Sequence, residues 1–143
     1  MSEPGLAAIS ALRLAHIGGF AAWSGLLLAL LVAGRRDGAA WRRQFSATIP
    51  AMALTLASGW GLAFAELGPP RDWSWTVDAM QSLGIVMAVL TLVLRFGLLP
   101  LHDESMAKND AEVLATGIGR INRLIAANLL LAFIILVIAV TGQ

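Results

Sequence analysis

The chain has 143 residues, of which 58% are hydrophobic and 13% charged, with a formal net charge of +1 and a mean hydropathy of +0.77. These values lie outside the range of a soluble domain of this size, and a balance so near zero offers nucleic acid no cationic surface. Cysteine is absent, which excludes disulfides, thiolate metal sites, covalently attached haem and cysteine nucleophiles.

Four stretches free of Asp, Glu, Lys and Arg organise the rest: Leu14 to Gly34, Phe45 to Ala65, Ala79 to Leu94 and Leu124 to Gln143. About 20 apolar residues are needed to cross a hydrocarbon core as a helix. The stretches therefore predict an all-α fold, a four-transmembrane-helix bundle in one integral membrane domain over 1–143, with spans at about 12–34, 46–66, 77–99 and 121–142. None carries the polar stripe that a soluble four-helix bundle requires.

The first span has Glu3 ahead of it and Arg35-Arg36 behind, the pattern of a reverse anchor rather than a cleaved signal peptide. A compact basic loop is expected from Gly34 to Gln44. The second span carries Pro50 in its first turns and must end near Glu66, because Gly68-Pro69-Pro70 cannot continue a helix. Trp73 and Trp75 then fall where indoles anchor at a membrane interface. The third span is short between Asp78 and Arg95 unless Arg95 snorkels and Phe96 to Leu101 prolong it. From Pro100 to Gly119 the charges alternate, which predicts a short surface helix or an ordered loop before the fourth span.

Arg35, Arg36, Arg42 and Arg43 lie between the first two spans, and Arg95, Lys108, Arg120 and Arg123 flank the connection between the last two; only Arg13 and Arg71 fall on the other side. The positive-inside rule then places both basic connections in the cytoplasm and both termini outside, in the periplasm of a bacterium.

Within the spans, His16 stands out, since an ionisable side chain in lipid is costly and needs a partner. His16, Gly19, Trp23 and Leu27 follow one helical face, and Gly19 offers a notch beside the imidazole for a flat macrocycle; Gly18-Gly19, Gly25, Gly59-Gly61 and Gly84 are also expected to allow close helix approach. Met80 starts the third span at the same depth, with Gly84, Met87 and Thr91 on its face. A histidine with one or more thioethers suits a haem iron or cuprous copper, so His16, Met80, Gly19 and Trp23 are candidate haem contacts, and His16, Met80 and Met87 candidate metal contacts. The plainer reading has His16 bonded to Glu66, Asp78 or water and the methionines as packing. His102, beside Asp103 and Glu104, is expected to be solvated. Asn122 and Asn128 suit interhelical hydrogen bonds. No Ser, His and carboxylate share one depth, which argues against a charge-relay hydrolase.

Leu14-Ala15-His16 followed by Trp23-Ser24-Gly25-Leu26 resembles the opening helix of the CopD-like and HemJ-like membrane proteins. Ile49-Pro50-Ala51-Met52-Ala53-Leu54-Thr55-Leu56 with Gly59 resembles the second HemJ helix, and Arg120-Ile121-Asn122-Arg123 the start of the last. The resemblance covers all four spans. It implies haem b on His16, as in the HemJ-type protoporphyrinogen oxidases, or copper on His16, Met80 and Met87, as in CopD-type copper handling. The HemJ pattern carries a lysine early in its third helix; Val77-Asp78-Ala79-Met80-Gln81 has none, and Met80 falls where it would be, so the oxidase activity is not implied.

Three functions are thus expected as alternatives for a multi-pass protein of the bacterial inner membrane. One is a haem b protein transferring electrons to or from a quinone or a periplasmic redox partner. The second is a copper-handling membrane protein. The third is a non-catalytic small subunit or assembly factor, acting as a homo-oligomer or within a larger membrane complex.

Overall fold

The structure is a computed structural model that describes residues 3–33, 38–108 and 111–142. Among these residues the fold is helical apart from short connections, with no strand. The elements are α1 (Glu3–Val32), α2 (Gly38–Leu67), a 3₁₀ turn (Pro70–Asp72), α3 (Trp75–Leu92), a π-helical turn (Val93–Leu98), α4 (Leu99–Ala107) and α5 (Ala111–Thr141). The α3, π and α4 segments follow one another without a break, so the protein has four rods, each long and apolar enough to cross a membrane. The four-helix bundle follows from the four apolar stretches as expected.

The rods exceed the predicted spans at several ends. Thirty residues of α1 measure about 45 Å against a hydrocarbon core of about 30 Å, so its termini project beyond the lipid. The expected basic loop is shorter than predicted, because α2 is already helical from Gly38; residues 34–37 lie outside the described residues. Pro50 consequently sits in the middle of α2 rather than in its first turns, and leaves the Ser46 carbonyl without its helical donor. The segment 100–119 is not a separate surface element: it is the end of α4 and the first turns of α5, apart from residues 109–110, which are not described. α2 stops at Leu67, where Gly68 takes a positive φ of 79° that other residues resist, and the prolines follow.

In cross-section α1 packs on α2 and α5, and α3 packs on the same two, so α1 and α3 face each other across one diagonal and α2 and α5 across the other. Trp23, Leu27, Leu30, Phe45, Met87, Leu94, Leu99, Ile121 and Ile125 fill the centre. The outer surface carries Leu14, Ile17, Val32, Phe133 and Val140 in the open. Only 17% of the α5 span is buried within the protein. An apolar exterior on this scale is stable in lipid and not in water, so the protein is a multi-pass membrane protein with a bilayer as its solvent.

Gly19 is what lets α1 and α2 approach closely. A Cβ there would stand 2.7 Å from Thr55 Oγ1 and 3.0 Å from the Thr55 backbone nitrogen. The notch expected to receive a macrocycle is filled by α2, because a glycine facing a neighbouring helix is used for backbone approach. Gly19 is thus used in helix packing and does not line the bundle's cavity.

Candidate functional site

His16 leaves α1 toward α2, where its Nδ1 lies 2.8 Å from the Thr55 carbonyl oxygen. A carbonyl only accepts, so Nδ1 carries the proton and, in the neutral ring, Nε2 presents its lone pair; among the described residues the ring's hydrogen bond is the one through Nδ1. The protein partner of Nδ1 is thus a backbone carbonyl rather than Glu66 or Asp78. Gly59, one turn beyond Thr55, makes room for the ring: a Cβ there would come within 2.8 Å of His16 Cε1. A histidine whose Nδ1–H is fixed by a carbonyl is oriented as metal-ligating histidines are.

Two turns deeper, Trp23 is buried and its Nε1 donates to Thr91 Oγ1 at 3.1 Å. Asn128 of α5 donates through Nδ2 to the same hydroxyl at 2.9 Å and to the Met87 carbonyl at 3.1 Å, while Thr91 Oγ1 donates to that carbonyl at 2.9 Å. The Thr91 hydroxyl therefore uses its one donor and both acceptor positions. Asn128 is the interhelical link predicted for it, joining α3 to α5 and, through Thr91, to α1.

From the level of Trp23 past His16 to Glu66 runs a cavity of about 440 Å³ to which all four rods contribute. His16, Phe20 and Trp23 come from α1, and Met80, Gly84 and Met87 from α3. The volume is that of a small-molecule or cofactor site, and the lining is mostly apolar. Of the residues singled out from the sequence, His16, Trp23, Met80 and Met87 meet here; Gly19 does not. The Trp23–Thr91 bond sets the register of the two rods and puts Gly84, rather than Met80 as expected, on the level of His16; Met80 stands about one turn above it and Met87 about one turn below. Glu66 and Gln81 add polar groups to the wall. Glu66 is also paired with Arg13 of α1, which offsets its charge.

No family model, curated protein or solved structure matches this chain. The site therefore stands on its own geometry. Among the described residues no three of His, Cys, Asp and Glu gather as a metal site, so a metal held in the cavity would depend on His16 and the thioethers.

His102 is not solvated. It is 5% exposed and stacks on Trp41 of α2, with ring centroids 5.2 Å apart and planes 26° from parallel. The helix continues through Pro100 and carries His102 inward, while Asp103 beside it accepts from Arg42 at 2.7 Å. His102 belongs to the end of the bundle away from the cavity and has no part in it. Thr55 and Thr91 are the site residues that sequence reasoning left without a role, and Gly59, expected to allow helix approach, instead makes room for the His16 ring. Their signal was present in the small residues of α2 and the hydroxyl of α3, but it has no meaning until the facing helix is known.

Proposed function

We propose that this chain is a haem b-binding redox protein of the bacterial inner membrane, similar to the HemJ-like and CopD-like proteins, with His16 as an axial ligand and both termini in the periplasm. The observation that carries this reading is the His16 ring: Nδ1 is held by the Thr55 carbonyl and Nε2 presents its lone pair on the wall of an apolar cavity. The residues fit the group. A flat macrocycle needs apolar walls, supplied by Phe20, Trp23 and Gly84, and a second soft donor, for which Met80 lines the α3 wall about one turn from the level of His16.

Haem held by His16 would supply one-electron chemistry, for exchange with a quinone or a periplasmic partner. The protein's own residues do the rest. Thr55 orients the imidazole, the Trp23–Thr91–Asn128 bonds fix the inner wall, and the apolar lining excludes water, which favours the less charged state of a bound iron. The missing third-helix lysine sets the chain apart from the protoporphyrinogen oxidases, and no such activity is proposed.

Copper on His16, Met80 and Met87 uses the same donors, but a single ion needs far less room than 440 Å³, and Met80 and Met87 start about 10 Å apart along α3. Haem is therefore the better match. An oxidised and dithionite-reduced absorption spectrum of the detergent-purified protein, with a pyridine haemochrome assay, tests it. A stoichiometric b-type signal lost in His16→Ala supports the reading. A featureless spectrum from haem-replete cells overturns it, with bound copper or a co-purifying larger complex then marking the other two alternatives.

A further inference from the structure

At the end of the bundle away from the cavity, Trp41 and His102 form a buried polar pair whose hydrogen-bonding atoms are left open by the protein. Trp41 is 2% and His102 5% exposed, and neither Trp41 Nε1 nor His102 Nδ1 meets a protein partner. Among the described residues the only other buried side-chain polar atom in that position is Asn128 Oδ1, whose own amide nitrogen is doubly bonded. Trp41 and His102 have no such compensation through these atoms. A buried donor or acceptor left unmade costs about 1–3 kcal/mol, and two on adjoining rings would be a large fraction of a small protein's stability.

We propose that one internal water molecule bridges Trp41 and His102 and forms a buried polar link between α2 and α4, beside the exposed Arg42–Asp103 pair. The chemistry of the two atoms selects it. Indole Nε1–H can only donate, and His102 Nδ1 accepts when the proton is on Nε2. A water accepts the first bond and donates the second, meeting the minimum of two polar partners that a buried water requires. The nearby polar side chains are engaged elsewhere: Arg42 on Asp103, and Arg95 on Ser46 Oγ at 3.2 Å. Phe45 closes over Trp41 edge-on at 6.4 Å, so the pair is sealed by an apolar ring. The site is independent of whatever fills the cavity.

The test is a double-mutant cycle on the full chain in detergent, reading thermal unfolding of Trp41→Phe, His102→Phe and the two together. Phenylalanine keeps a ring in the stack and removes one partner of the water. A bridge predicts that each single variant melts below the parent, whereas the double variant, with no orphan left, melts no lower than the worse single. Losses that simply add would overturn the proposal. Where a single variant does not fold, nuclear magnetic resonance of the parent labelled with indole ¹⁵N replaces it, the Trp41 resonance being assigned by substituting the other four tryptophans. A direct cross-peak from the Trp41 Nε1–H to a bound water supports the bridge, and its absence overturns it.

Discussion

Trp23 of α1 and Thr91 of the opposite rod α3 meet across the bundle's diagonal through a buried hydrogen bond of 3.1 Å. Because α1 and α3 pack on α2 and α5 and not on each other, this bond and the Asn128 bond beside it tie the two diagonals together at mid-depth. Removing the hydroxyl while keeping the shape isolates its role. Thr91→Val leaves Trp23 Nε1 without an acceptor and is expected to cost about 1–3 kcal/mol, while Thr91→Ser, which keeps the hydroxyl, costs less. Unfolding in detergent followed by circular dichroism checks this; equal losses for the two variants would remove the bond from the account.

Gly59 separates ligand chemistry from stability. A Cβ at this position would stand 2.8 Å from His16 Cε1 and 3.0 Å from Nδ1, so Gly59→Ala must displace the imidazole from the Thr55 carbonyl. The helix itself gains about 1 kcal/mol of propensity from alanine, which offsets the crowding. The expected outcome is a bundle that melts close to the parent but has a weakened or shifted b-type absorption band. An unchanged spectrum would show that the position of His16 does not matter to the bound group.

Gly19 gives the reverse pattern. Its Cβ would meet backbone atoms, Thr55 N at 3.0 Å and the Ala51 carbonyl oxygen at 3.2 Å, as well as the Thr55 hydroxyl. Backbone cannot turn aside as a side chain can, so Gly19→Ala must push α1 from α2, with an expected cost of about 1–3 kcal/mol. Gly18, beside it in sequence, faces open space with nothing within 4 Å, and Gly18→Ala is expected to be neutral or slightly stabilising. The pair is compared in one unfolding experiment, and equal effects would contradict the packing role.

The contrast between Gly18 and Gly19 also shows where sequence reasoning stops. Helical spacing and depth were enough to bring His16, Trp23, Met80 and Met87 to one cavity, since each depends only on its own helix and on antiparallel neighbours. Whether a glycine faces a cofactor or another helix depends on which rod lies opposite, and no periodicity states that. His102 failed for a different reason. It lies eleven residues beyond Thr91, about three turns and so near the same face, but Pro100 and the alternating charges after it read as the end of the helix. The backbone instead runs on through the π-helical turn, and the burial of His102 follows from that continuation. The early start of α2 was hidden likewise by its arginines, of which Arg42 reaches Asp103 across the bundle end.

The distribution of arginine makes the orientation testable, and the absence of cysteine makes the test clean. Ser74 precedes α3 at the end of the bundle that holds Arg13 and Glu66, and Ser105 lies in α4 at the end that holds Arg42 and Asp103. With both termini outside, Ser74→Cys is expected to react with a membrane-impermeant maleimide in intact cells, and Ser105→Cys only after permeabilisation. Arg42, Arg43, Arg95, Lys108, Arg120 and Arg123 would then hold the second end in the cytoplasm, where moving them across the bilayer is opposed. The reverse labelling would put His16 and Met80 in the inner leaflet, and the redox partner would have to be sought on the cytoplasmic side.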